Sequence, residues 1–287
     1  MSPSSIHARV AAARLRLRDA GIPSDEADLD ARLLAEHVLG WSTERFFADA
    51  SQDEPPDFRA KFHALVDRRA AHEPFAYIVG HEEFWGLPFE VTPAVLIPRP
   101  ETELLVELAL ADIPREASLK IADVCTGSGC VAVSIAHERS AVAIAATDSS
   151  EPALDVARRN AERHLVAGAI RFCRADLLDG LDGPFDLIVA NPPYVAERDR
   201  PTLQPEVVDH EPAIALFAGD DGLAVIRRLL PQAETRLRPG GLLLFEFGFD
   251  QDDAVAQLIS RTARLTMVAL RRDLQEIPRV AVIRRSS

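Results

Sequence analysis

A chain of 287 residues with 47% hydrophobic content can form one large domain or two unequal ones and is too apolar to be generally disordered. Its formal charge of −13 argues against a dedicated nucleic-acid binder, and the first 70 residues hide no basic module, holding 10 Lys/Arg against 12 Asp/Glu. No window reaches the ~20 apolar residues that span a bilayer, and three cysteines without zinc-type spacing or a signal peptide suit a reducing cytoplasm.

Residues 6–71 carry a helical pattern. Ala11, Leu15 and Ala20, then Ala31, Leu34, Ala35, Val38 and Leu39, recur at three-and-four spacing. Gly21-Ile22-Pro23-Ser24 breaks the pattern, with Ser24 placed to cap the next helix and Gly40 to end it. After Glu54-Pro55-Pro56 a further helix runs through Phe58, Phe62, Leu65 and Val66. A helical domain is therefore expected over residues 1–73. Residues 75–92, aromatic and punctuated by Gly80, Gly86 and Pro88, read as a β-hairpin within a linker over 74–98.

From residue 99 to 287 one α/β domain is expected. The strand candidates are Ile121–Val124, Val142–Thr147, Ile170–Cys173, Leu187–Ala190 and Leu242–Phe247, with helices near 129–138, 151–165, 221–236 and 250–262. Such alternation predicts a mostly parallel sheet covered on both faces. Leu265–Leu270 and Val280–Ile283 add edge strands, as an antiparallel hairpin. His81-Glu82-Glu83 lacks a second His at helical spacing, so no metal site is expected.

Two motifs carry chemistry. Ile121 through Ala132 is a strand, a glycine turn (Cys125-Thr126-Gly127-Ser128-Gly129) and a helix start, and Asp148 closes the next strand 21 positions after Gly127. Glycines let backbone approach a ligand, exposed N–H groups favour a polar group, and the distant carboxylate can accept both ribose hydroxyls. Taken alone, this fits S-adenosylmethionine and a nicotinamide or flavin nucleotide equally. Asp123 separates them, because a carboxylate before the turn repels a pyrophosphate but binds an amino group. Asp176 sits where it could meet an adenine ring or serve as a solvated loop carboxylate or helix cap.

The second motif is Asn191-Pro192-Pro193-Tyr194, directly after the apolar run Phe185–Ala190. Prolines lack N–H and fix φ, so the backbone leaves the sheet with its carbonyls held in set directions. The Asn191 side-chain oxygen and the Pro192 carbonyl are two acceptors, which suit the two donors of a planar –NH₂ group. That points to chemistry on an amide or exocyclic amine nitrogen, with Tyr194 closing over the group. A hydride-transfer enzyme has no use for such a clamp.

With these residues in view the chain resembles the PrmC/HemK family of protein-(glutamine-N5) methyltransferases, which act on peptide chain release factors. The likeness spans nearly the whole chain, including Glu73–Gly80, the run Ile97-Pro98-Arg99-Pro100-Glu101-Thr102-Glu103, Asp209-His210-Glu211-Pro212 and Gly219–Leu223. It implies a class I, Rossmann-like seven-stranded methyltransferase fold behind a helical substrate-recognition domain. It also implies S-adenosylmethionine held by Asp123, Cys125–Gly129, Asp148, Asp176, Leu177 and Asn191, and the glutamine of a release-factor Gly-Gly-Gln loop held by Asn191, Pro192, Pro193 and Tyr194. No direct nucleic-acid or membrane binding is implied.

Cys125 stands where the family usually has glycine, Leu177 where some members have an aromatic, and Phe247 interrupts a familiar Glu-His-Gly, leaving Glu246 and Gly248. Glu101, Thr102 and Glu103 either line the entrance or cap the helix beginning near Leu104. Two alternatives keep the chemistry: a glutamine methylase of a ribosomal protein and, less well matched to the charge, a nucleic-acid amino-methyltransferase. A nucleotide-binding oxidoreductase is the alternative of a different class.

Overall fold

The computed structural model describes residues 5–287, and its N-terminal part is helical, as the spacing predicts. Helices α1 (Ile6–Asp19), α2 (Ser24–Leu39), α3 (Thr43–Asp49) and α4 (Phe58–Ala70) bury Val10, Leu17, Leu34, Phe46, Phe62 and Val66 in one core. Ser5 caps α1, its hydroxyl accepting from the Ala8 N–H at 3.2 Å. Ser24 does not cap α2. Pro23 holds the cap position and Ser24 is the first helical residue, whereas Gly40 ends the helix as expected, with φ of 62°.

The residues read as the first arm of a hairpin differ. Phe75–Val79 form a short helix, α5, between Pro74 and Gly80, the latter with φ of 81°. Aromatic and β-branched residues favour strands, but Ile78 packs into the helical core and that burial overrides propensity. The hairpin itself is β1 (His81–Phe84) and β2 (Leu87–Glu90), joined through Trp85-Gly86.

The second unit spans residues 81–203 and 211–287, and segment 204–210 clusters with residues 5–80 instead. In chain order the second unit continues with α6 (Glu103–Asp112), β3 (Lys120–Val124), α7 (Cys130–Glu138), β4 (Ala143–Asp148), α8 (Glu151–Arg163), β5 (Ile170–Arg174) and β6 (Phe185–Ala190). Helix α9 (Pro205–His210) belongs to the helical unit, where Glu206 pairs with the buried Arg69 at 2.9 Å. The chain then forms α10 (Ala213–Leu216), α11 (Ala224–Arg236), β7 (Leu237–Glu246), α12 (Asp252–Ser260), β8 (Leu265–Arg272) and β9 (Pro278–Arg285).

The seven-stranded sheet has the order β5-β4-β3-β6-β7-β9-β8, all parallel except β9. Successive residues of its central strands enter two cores. Ile121, Ile144, Leu187 and Val189 pack with α6 and α7, while Ala122, Val124, Ile188 and Ala190 pack with α11 and α12. Burial on both faces is why these strands read as unbroken apolar runs. β9 lies between β7 and β8, so only one arm of the C-terminal hairpin is an edge.

Gly129 opens α7 with φ of +81°, and a Cβ placed there would lie 3.0 Å from Ala157 Cβ on α8. Gly129→Ala combines a left-handed backbone with a steric clash and should cost about 2 kcal/mol. A urea titration should show a lower midpoint at unchanged slope. An unshifted midpoint would show that α7 and α8 do not approach this closely.

Candidate active site

Parallel register decides what meets at the carboxyl end of the sheet. Val124 pairs with Thr147 on one side and Ala190 on the other, and Ala190 pairs with Phe245. The next residue on each strand therefore falls in one row: Asp148, Cys125, Asn191, Glu246. The row crosses the point between β3 and β6 where chain order reverses, the usual ligand site of an open parallel sheet. A cavity of about 470 Å³ opens there, walled by the glycine turn, Asp148, the 175–177 stretch, Asn191 and Pro193, with Arg99 and Thr102 from the Ile97–Glu103 run.

The glycine turn is held from several sides. Asp148 accepts the Gly127 N–H at 3.0 Å through Oδ2 and the Ser150 N–H at 2.9 Å through Oδ1. Asp123 is buried and accepts the Thr126 hydroxyl at 2.5 Å, so part of its task is to shape the turn. Cys125 adopts φ of 60°, which explains why glycine is usual at this position. Asn160 of α8, buried, donates to the Ser128 carbonyl at 2.9 Å and exchanges hydrogen bonds with the Glu90 backbone, tying the turn to the hairpin. Nothing in a lone Asn within an amphipathic helix pattern announces that contact.

At the far wall, Leu177 is buried, with its carbonyl fixed by the Thr147 hydroxyl at 2.8 Å. The Asp176 carboxylate is exposed and paired with Arg228, and both residues line the cavity.

Of the Asn191–Tyr194 segment, Asn191 and Pro193 line the cavity, whereas Pro192 is buried and neither it nor Tyr194 is a lining residue. Asn191 Nδ2 donates to Thr102 Oγ1 at 3.0 Å, and the Thr102 hydroxyl donates to Glu246 Oε2 at 2.8 Å. Tyr194 sends its hydroxyl to Glu246 Oε1 at 3.0 Å. The Tyr194 carbonyl accepts from Gln251 Nε2 at 2.9 Å, and a Cβ at Gly222 would lie only 2.2 Å from that carbonyl oxygen. Of the Glu101–Glu103 run, Thr102 turns inward, whereas the Glu103 carboxylate accepts the Trp85 N–H at 2.7 Å and steadies the hairpin. Glu211 accepts the Ile97 N–H at 3.2 Å and pairs with Arg99, which fixes the approach to Thr102. Glu246, the hub of the network, ends an apolar strand; a carboxylate at that boundary is the only signal the sequence offers.

Burial raises three carboxylates around this cleft. Asp123 is pushed up to about 7, against the opposing Thr126 hydroxyl and Ala132 N–H. Glu246 also reaches about 7 from burial, opposed by the Thr102 and Tyr194 hydroxyls. Asp148 is raised by burial despite its backbone donors. A cation seated here offsets the cost of ionising them.

Residues 10–80 match the family model described as the PrmC N-terminal domain, and residues 101–214 match the methyltransferase small domain. A release factor glutamine methyltransferase of Burkholderia pseudomallei is 46% identical, over 88% of this chain and 90% of its own length. The chain belongs to the release factor glutamine methyltransferase family. A further member, from Bradyrhizobium diazoefficiens, is 41% identical over 94% of this chain and 91% of its own. Among solved structures, a methyltransferase from Pyrococcus furiosus aligns with a TM-score of 0.53 at 17% identity, over 78% of this chain and 98% of that one, and shares the fold. Within that class I methyltransferase fold Asp148, Cys125 and Asn191 of the row line the cavity, and Glu246 is buried.

Asp123 carries a pH signature. Its folded-state pKa, about 7, lies above its ordinary 3.8, so between those values the folded chain holds a proton that the unfolded chain has released. Stability from this group is therefore full below about 4, is lost as pH rises towards 7, and is constant above. Asp123→Asn removes the dependence. The stability of the variant relative to the parent should rise between pH 4 and pH 7 by on the order of 2 kcal/mol or more. Parallel pH curves for the two apo proteins would show that Asp123 is ionised throughout.

Proposed function

We propose that this enzyme, an S-adenosylmethionine-dependent protein-glutamine methyltransferase, methylates the side-chain amide nitrogen of the glutamine in the Gly-Gly-Gln loop of peptide chain release factors, in the cytoplasm and without binding nucleic acid directly. The observation that carries this reading is the Asn191 carboxamide at the cavity wall. Its Nδ2 is tied to Thr102, which leaves Oδ1 as the group offered to a ligand. The relatives' names favour release factors over the ribosomal-protein alternative. Among the described residues no helix is long and apolar enough to cross a membrane.

The cleft fits the cofactor. A Cβ at Gly127 meets nothing within 4 Å, so the turn leaves open space where a ligand can approach backbone. Asp148 keeps acceptor capacity beyond its backbone hydrogen bonds, which a ribose hydroxyl can use. Asp123 and the turn take the methionine end, and the 176–177 backbone takes the adenine. When bound, S-adenosylmethionine supplies an electrophilic methyl group on its sulfonium.

The chain's own part is to position and polarise the acceptor. An amide nitrogen is a poor nucleophile because its lone pair is delocalised. Asn191 Oδ1 and the Pro192 carbonyl accept one N–H each, drawing density back to nitrogen and fixing its direction. Such positioning can remove about 7 kcal/mol of a two-reactant barrier. Fixed acceptors also favour the positive charge that develops on nitrogen, and the methylated nitrogen is then acidic enough to lose its proton to water, so no protein base is assigned. Pro193 bounds the site, and the Tyr194 ring supplies apolar contact while Glu246 holds its hydroxyl.

Asn191→Ala should lower kcat on the order of 10²-fold or more, with the dissociation constant for S-adenosylhomocysteine changed only a few-fold. Asp148→Ala should show the reverse emphasis, weakening that constant about tenfold. Equal loss of cofactor binding in both variants would make Asn191 a cofactor residue and end the clamp reading.

The substrate is tested by mass spectrometry of release factors incubated with enzyme and S-adenosylmethionine. One added methyl on the Gly-Gly-Gln glutamine is expected. A methyl group elsewhere, or none, overturns the assignment.

A further inference from the structure

We propose that Glu246 is a positioning residue that decides which end of the Asn191 carboxamide meets the substrate, acting through Thr102. This rests on the reading of Asn191 as the amide clamp. The oxygen and nitrogen of an Asn side chain are nearly equal in size, so packing alone does not choose between them. The choice matters, because a substrate –NH₂ needs an acceptor and meets only another –NH₂ if the amide is reversed.

Glu246 is 1% exposed and both its oxygens are hydrogen-bonded, to Thr102 and to Tyr194. An ionised carboxylate only accepts, so the single Thr102 proton must point to Glu246. Thr102 Oγ1 can then only accept from Asn191, at 3.0 Å, and the amide must turn Nδ2 towards it. Oδ1 is left facing the cavity. The chain from carboxylate through hydroxyl to amide also polarises Asn191, making Oδ1 a stronger acceptor.

Protonated Glu246 reverses the logic. The new O–H donates to Thr102 in preference to Tyr194, because a phenol oxygen shares its lone pair with the ring and accepts less well. The Thr102 proton then points at Asn191, and the amide inverts. The other ionisable groups acting on Glu246 are Arg279 on β9, Glu101 in the turn before α6, Cys130 on α7 and Tyr194, which itself faces Arg99. Arg279 is engaged by Asp273 at 3.1 Å, and among the described residues only Thr102 and Tyr194 hydrogen-bond to the Glu246 carboxylate. Burial that raises Glu246 to about 7 puts the switch in the physiological range.

The experiment measures kcat against pH, with release factor and S-adenosylmethionine saturating, for the parent enzyme, Glu246→Gln, Thr102→Val and Thr102→Ser. In the parent, kcat should fall below about pH 7, approaching tenfold per unit. Glu246→Gln should lie at least tenfold below the parent at pH 8 and lose the acidic limb, with KM for release factor and S-adenosylhomocysteine affinity within threefold. Thr102→Val should lose on the order of 10²-fold in kcat, and Thr102→Ser, which keeps the hydroxyl, should retain both rate and limb. An acidic limb persisting in Glu246→Gln, or Thr102→Val within threefold of the parent, overturns the proposal. Should Glu246→Gln not fold, the Thr102 pair decides alone. If Asn191→Ala still abolishes transfer in that event, the clamp stands without its orienter. If Asn191→Ala keeps its rate, the clamp reading fails first.

Discussion

The parallel register of four neighbouring strands is the constraint on which the site depends. Asp148, Cys125, Asn191 and Glu246 are each the residue just past a registered pair, so the ladder that builds the core also sets them level with one another. A slip of one residue in any strand would send its terminal side chain to the opposite face. Register is in turn locked by burial on both faces, since alternate residues of β3 and β6 enter separate apolar cores. The level placement of these residues and core packing are therefore one problem solved once.

That placement carries an energetic cost. Asp123, Asp148 and Glu246 are carboxylates whose burial disfavours charge, and the first two line the cleft that the proposed cationic cofactor enters. Hydroxyls and backbone N–H groups lessen the cost without removing it, through Thr126 at Asp123, two amides at Asp148, and Thr102 with Tyr194 at Glu246. Polar networks in low dielectric are strong when every member is satisfied. Here they hold a glycine turn and an amide in fixed orientation before any substrate arrives.

The sheet was legible because strands buried on both faces leave continuous apolar runs and the helices between them keep their period. All six parallel strands were located to within a residue or two, except that β7 begins at Leu237, five residues before the apolar run that marks it. In the first unit α1, α2 and α4 were equally visible, while the short helices Thr43–Asp49 and Pro205–His210 were not picked out. Phe75–Val79 was not, because a five-residue apolar and aromatic segment has no period of its own, and packing against the helical core decides its conformation. Ser24 shows the same limit at a helix end, where Pro23 takes the position that sequence assigned to a hydroxyl.

By itself the sequence determined the fold class, the glycine turn with its distant Asp148, and the Asn-Pro-Pro-Tyr segment, because these depend on local order and spacing along one stretch of chain. Only the tertiary structure decided that Thr102 stands between Asn191 and Glu246, that Asn160 holds the glycine turn to the hairpin, and that Asp176 pairs with Arg228. Those contacts join residues 32 to 144 positions apart. A hydrogen bond at that separation has no local signature, since its partner is chosen by how strands stack and not by what neighbours it in the chain.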